Sequence, residues 1–181
     1  MRFDVPAEQL HAARQPHDLF LINLIFNHIF LFVTFMSMSS LQIFVLIVPV
    51  LSIAILGFTI WRAKRSLKRD PWFVMCHWQI CYRRSRGFIL MLAVMAAVMF
   101  AMVADVGFSF KALRPGHWAI MGATVLPTMV TVLVLIIMES EALHQARFGL
   151  LSKGIYARFQ GGALPILEDD ESHDEALQPQ E

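Results

Sequence analysis

The chain has 181 residues, 57% of them hydrophobic and 16% charged, with a mean hydropathy of +0.58. A soluble domain is roughly 45–50% apolar and about 25% charged, so the composition excludes water as the main solvent of this chain. A net charge of +1 gives no footprint for nucleic acid, and fifteen Phe and eleven Met against nine Gly argue against the alternating strands of roughly ten residues in an outer-membrane barrel.

The first eighteen residues mix Arg2 and Arg14 with Asp4, Glu8 and Asp18. The apolar run behind them has no small-residue cleavage site, so it is expected to be retained rather than removed as a signal peptide. From Leu19 to Trp61 no Lys, Arg, Asp or Glu occurs. As one straight helix that stretch reaches about 65 Å, twice the roughly 30 Å of a hydrocarbon core. The chain must therefore turn, and Ser37, Ser39 and Ser40 supply hydroxyls that satisfy backbone groups in a turn. Span one is predicted over 19–36 and span two over 41–61. Pro49 is expected to kink span two.

Residues 62–86 form a basic loop holding Arg62, Lys64, Arg65, Lys68, Arg69, Arg83, Arg84 and Arg86 against the single acid Asp70. Asp70-Pro71 reads as a helix start, a capping acid before a proline, so that Trp72 to Tyr82 forms either a helix at the headgroup level or, the favoured reading, a cytoplasmic extension of span three. Span three is predicted over 87–106 and span four over 117–138, the latter carrying Pro127. Behind it Phe148, Leu151, Ile155 and Phe159 recur at helical spacing among Arg147, Lys153 and Arg158, as in an amphipathic interfacial helix. From Gly161 onward the chain is acidic, with no Lys or Arg, and disorder is expected.

The expected fold is therefore an all-α, antiparallel four-transmembrane-helix bundle, a single domain over 1–160 followed by an acidic tail over 161–181. Thirteen of the fifteen Lys and Arg flank the same ends of the spans; only Lys111 and Arg114 lie at the other side. By the positive-inside rule both termini and the basic loop face the cytoplasm. A bacterial inner (plasma) membrane is the expected location, since no organelle-type transit segment is present.

Intramembrane polar residues are the candidate functional groups. His28 lies near the middle of span one with Asn23, Asn27 and Thr34; such groups face the protein interior and mark solute or proton paths by default. The plainer reading is a set of interhelical hydrogen bonds of roughly 0.6 kcal/mol each. Ala93, Ala97 and Ala101 form a small-residue packing face ending in Asp105, for which Lys111, Arg114 and His117 are candidate partners. Thr124, Thr128 and Thr131 flank Pro127, where their hydroxyls are expected to rebond carbonyls freed by the proline; a threonine-lined solute path is the sharper alternative.

Cys76, His77, Cys81 and His144 are metal-binding types, but their spacing lacks the paired C-x2-C of a zinc site. A haem between two histidines needs both at one depth, and only His28 lies deep in a predicted span. Thiols facing the cytoplasm stay reduced, so no disulfide is expected, and no cofactor or metal is assigned. Hydrolase, zinc-protease, Walker and dinucleotide motifs do not occur. The expected function is a non-catalytic accessory subunit or assembly component of a larger membrane complex. The alternatives are a small oligomeric transporter or channel using His28 and the polar residues of spans one and four, or a redox protein. Its partners are expected to be other membrane subunits or copies of itself, and the basic loop is expected to hold either anionic lipid, at about 1 kcal/mol per cation, or the acidic tail of residues 168–175.

Overall fold

The structure is a computed structural model, and it describes residues 1–38, 40, 44, 47–109, 112–159 and 166–168. A short strand β1 (Arg2–Phe3) precedes helix α1 (Ala7–Ile22), which runs on through a π-helical stretch (Asn23–Leu31) into α2 (Phe32–Ser37). Then come α3 (Ile47–Arg69), α4 (Trp72–Asp105), α5 (Pro115–Phe148), the single-turn-and-a-half α6 (Lys153–Arg158) and β2 (Ile166–Glu168). Four rods, Ala7–Phe35 and the helices α3, α4 and α5, are long and apolar enough to cross a membrane. The chain is a multi-pass membrane protein.

The spans differ from their predicted bounds where polar residues continue a helix beyond the lipid. α4 has 34 residues and extends about 51 Å, so a core of about 30 Å takes only its second half. Trp72 to Tyr82 is thus continuous with span three. Its start is not capped by Asp70, however. Pro71 occupies the cap position without a side-chain hydrogen bond, while the Asp70 carboxylate turns back to Arg62 at 2.7 and 3.0 Å. α5 also has 34 residues and runs ten beyond the predicted end. Pro49 lies in the described part of α3, but residue 45, whose carbonyl it would leave free, and with it the expected kink, lies outside the described residues. Ser39 of the predicted turn, residues 41–43, 45 and 46 of predicted span two, and Lys111 lie outside the described residues.

α1 and α4 form the centre: each packs against the other and against both α3 and α5. Burial is uneven along the rods. The buried residues of α4 run from Phe73 to Phe88, and none between Ile89 and Asp105 is buried. In α5 burial begins at Thr128 and ends at Ala146. The packed half is the one carrying the basic loop, termed here the basic end. Phe20, Leu24, Leu56, Cys81, Phe88, Val132 and Leu135 form an apolar layer across all four rods.

The basic end is closed by the chain termini. Phe3 packs edge-on against Trp72 and beside Tyr156, and β1 pairs antiparallel with β2, Arg2 opposite Glu168. The predicted tail therefore contributes a strand at 166–168; residues 161–165 and 169–181 lie outside the described residues. The amphipathic helix expected over 148–159 is divided. Gly149 ends α5 in the left-handed region at φ 69°, and only Lys153–Arg158 is helical beyond it. Leu151 and Ile155 are buried against Phe3, Cys76, Ile80 and Ala142, so this segment covers protein with its apolar side.

Candidate functional site

Along α4, His77, Cys81, Arg84 and Phe88 recur at spacings of four, three and four, which places them on one helical face. α5 presents Val132, Leu135, Glu139, Ala142 and Ala146 as its buried stripe, and α1 presents Ala13, Pro16, His17 and Phe20. In each stripe, positions that packing would fill with apolar side chains carry ionisable ones: His17 on α1, Glu139 on α5, and His77 and Arg84 on α4. The three helices bring those positions together.

Glu139 Oε2 lies 2.6 Å from His17 Nδ1, and His17 Nε2 lies 3.0 Å from His77 Nδ1. All three residues are 0% exposed. The other carboxylate oxygen of Glu139 pairs with Arg84 Nη1 at 3.1 Å, and the same nitrogen donates to the Met138 carbonyl at 2.9 Å. The Arg84 side chain is 20% exposed. It reaches a surface cleft lined by Ile80, Arg83, Met138, Gln145, Ser152 and Ile155. His77 Nε2 is buried with no hydrogen-bond partner of good geometry, beneath the backbone of Leu150. The Cys81 thiol donates to the Pro16 carbonyl at 3.3 Å.

Counted back from Asp105, His77 lies about 42 Å along α4 and Arg84 about 32 Å. A hydrocarbon core of about 30 Å that begins at Asp105 ends near Arg84, with His77 beyond it. Burial there requires internal partners, because an unpaired polar group in a low dielectric costs several kcal/mol.

A second polar layer lies deeper, where α1 passes into its π-helical stretch. Asn27 donates to the Val48 carbonyl at 2.9 Å and to Asn23 Oδ1 at 3.1 Å, and Asn23 donates to the Ser52 hydroxyl at 3.2 Å. His28 Nδ1 bonds the Asn23 carbonyl five residues back at 3.0 Å, and its ring meets Phe88 edge-on at 5.0 Å. From His17 to His28 the rise is about 16 Å. Phe20, Leu24, Leu56 and Phe88 fill the interval, so the two polar groups are not joined.

The other predicted residues fall as follows. Asp105 pairs with His117 at 3.0 Å at the end remote from the basic loop. Thr124, Thr128 and Thr131 donate to the carbonyls of Ile120, Thr124 and Pro127. Each bonds four residues back, so none reaches the Ala123 carbonyl that Pro127 leaves free, and the expected repair is not made by these hydroxyls. Ala93, Ala97 and Ala101 are exposed, so they do not form a packing face within the chain.

Among the basic residues, Arg62 lies over Trp78, Arg65 over Trp61 and Arg86 over Tyr82. Lys64, Lys68 and Arg69 are exposed. Partial burial alone would raise the Asp70 carboxyl, but hydrogen bonds and charge from Arg62, with the Ser66 hydroxyl, outweigh it and hold the group below the ordinary aspartate value.

Cys76 and Cys81 are both free and buried, while His144 is exposed and stacked on Phe148. The four predicted metal candidates do not converge. Among the described residues no three His, Cys, Asp or Glu side chains form a metal-holding group. In the buried cluster, Glu139 and His77 contact opposite nitrogens of His17, so no single point lies between all three. The two imidazoles touch edge to face at 5.2 Å, which leaves no gap for a planar macrocycle.

The sequence reading assigned no role to His17 or Glu139. Both stand beside charged or polar neighbours, Asp18 and Ser140, and at the predicted span ends they read as solvated flanks. The signal that finds them is the continuation of each apolar stripe past the lipid boundary. Compared with models of known protein families, with curated proteins and with solved structures, the chain matches none.

Proposed function

We propose that this chain is a non-catalytic component of a larger membrane assembly, packed through the uncovered halves of α4 and α5. The observation that carries this reading is the contrast along α4: its first half is buried on protein, while Ile89 to Asp105 contributes no buried residue. In that uncovered half Ala93, Ala97 and Ala101 stand on one face at helical spacing. Between lipid-borne helices no hydrophobic force drives association, and small residues favour it by letting backbones approach. A helix from another subunit fits that face.

In this reading both termini and the basic loop face the cytoplasm of an inner membrane, as the distribution of Lys and Arg requires. Exposed Lys64, Arg65, Lys68 and Arg69 hold the basic end against anionic headgroups. The test is purification of the tagged chain in mild detergent with cysteine crosslinking from position 97. A defined partner crosslinked from a cysteine at position 97 and lost when Ala93→Leu or Ala101→Leu is added supports the reading; a stable, monodisperse particle of this chain alone overturns it.

The layer of Asn23, Asn27, His28 and Ser52 favours a second reading, a small oligomeric transporter. It requires that His28→Leu abolish solute or proton flux in reconstituted vesicles while the protein stays folded. The apolar layer between His28 and His17 weighs against a path through one protomer.

A further inference from the structure

Neither reading uses the cluster at the basic end. We infer that His77, His17 and Glu139 form a proton-binding chain, in which a proton taken up at His77 Nε2 neutralises Glu139 and frees Arg84 toward the surface cleft. The proposal stands apart from the assembly reading and does not depend on it.

Two arrangements of protons fit these contacts, and they differ by one proton. With Glu139 as a carboxylate, His17 donates its Nδ1 hydrogen to Oε2 across 2.6 Å. His17 Nε2 is then a bare acceptor, and the Nδ1 hydrogen of His77 fills it across 3.0 Å. This leaves His77 Nε2 as a lone pair with no hydrogen bond of good geometry, facing the backbone of Leu150, which is placed to accept the hydrogen once a proton is bound there. An orphaned acceptor is tolerated more readily than an orphaned donor.

A proton bound at that lone pair closes the second arrangement. The Nδ1 hydrogen of His77 passes to His17 Nε2, and the Nδ1 hydrogen of His17 passes to Glu139 Oε2. One proton has been added, both imidazoles remain neutral with their tautomers reversed, and the negative charge of Glu139 is gone. Arg84 then loses its counter-charge at 3.1 Å. It already lines the cleft with Arg83, Gln145 and Ser152, so outward rotation gives its guanidinium water in place of the carboxylate.

The surroundings contain few competing groups. α1 brings His17 and, one turn earlier, Arg14, whose Nε is buried; α4 brings His77, Cys81 and Arg84; α5 brings Glu139. α3 turns the neutral Thr59, Ala63 and Ser66 inward, and its Arg62 is paired with Asp70. Over the cluster lies the backbone of Leu150, which is bridged to Arg2. The apolar layer beyond Phe20 and Phe88 bars a continuation toward His28. A proton therefore arrives and leaves on the basic side, and the cluster binds it without conducting it across.

The experiment uses the full chain in lipid nanodiscs with 15N-labelled histidine rings, assigned by single-histidine replacement and titrated over the range in which circular dichroism shows the fold intact. The expected result is a joint switch of His17 and His77 from Nδ1-protonated to Nε2-protonated rings in one transition. A carboxylic-acid infrared band should appear at the same pH. Glu139→Gln should remove the band and leave the tautomers fixed; should that variant not fold, His77→Phe, which deletes the uptake atom, should lose the band instead. A wild-type protein whose rings and carboxylate stay unchanged across the folded range overturns the proposal. So does separate conversion of the two rings to imidazolium with Glu139 still charged.

Discussion

Replacing Glu139 with Ala removes the acceptor 2.6 Å from His17 Nδ1 and the counter-ion 3.1 Å from Arg84. The two losses are unequal. Arg84 is 20% exposed and keeps the Met138 carbonyl, so it turns to the cleft at small cost. His17 is fully buried and has nowhere to turn; a buried donor left unpaired costs about 1–3 kcal/mol. With the void left by the truncated side chain, the total should approach the 3–5 kcal/mol or so found when one partner of a buried charged pair is removed. A double-mutant cycle isolates the bond itself. Glu139→Ala, His17→Ala and the double variant, unfolded at equilibrium in mixed micelles and followed by circular dichroism, should give a coupling of about 1.5–3 kcal/mol, the range for a hydrogen bond to a charged group. Independent sites add to within about 0.5 kcal/mol. Additivity of that quality would show that His17 and Glu139 do not depend on each other, and the reasoning about the cluster would fail.

Gly149→Ala should destabilise by about 1–3 kcal/mol, because the added Cβ meets the Phe3 carbonyl oxygen at 2.9 Å in a residue at φ +69°, a region costly for L side chains. Gly154→Ala meets nothing within 4 Å and gains up to about 1 kcal/mol of helix propensity; equal melting temperatures for the two variants would refute the account of the α5 terminus. The Arg62–Asp70 pair gives a pH-dependent contribution of about 1 kcal/mol or less, since the side chains are 26% and 13% exposed and solvent screens them. Because the folded Asp70 value is depressed, that contribution is complete above the ordinary aspartate value of about 3.9 and fades as pH falls through the lower folded value. Melting curves of the wild type and Asp70→Asn should converge in acid, and parallel curves below about pH 4 would refute it.

The four spans were legible because lipid imposes a coarse requirement, some twenty uncharged residues per crossing, and Leu19 to Trp61 meets it twice. What lies past the lipid was less legible. Arg83 to Arg86 belong by charge to the basic loop, and α4 runs through them, as an extension from Trp72 requires; Cys81, Ser85 and Phe88 bury one face while Arg83 and Arg86 stay exposed on the other. The segment after span four repeats apolar residues at helical spacing, but Gly149 adopts a left-handed backbone that closes α5 and turns the repeat onto Phe3. The polar layer of Asn23, Asn27 and His28 stood out against its apolar surroundings. His17 and Glu139 did not, because neighbouring charges masked them; only the packing of α1, α4 and α5 shows that they face each other.

The apolar layer of Phe20, Leu24, Phe88 and Leu135 has an electrical consequence. A voltage across a membrane falls over its low-dielectric slab, and a unit charge carried through the whole of it gains about 2.3 kcal/mol per 100 mV. Glu139 and its histidines lie at one rim of that slab. For the proton chain inferred above, charge shifted among them would cross almost none of the drop, so its switch should respond to pH and not to voltage.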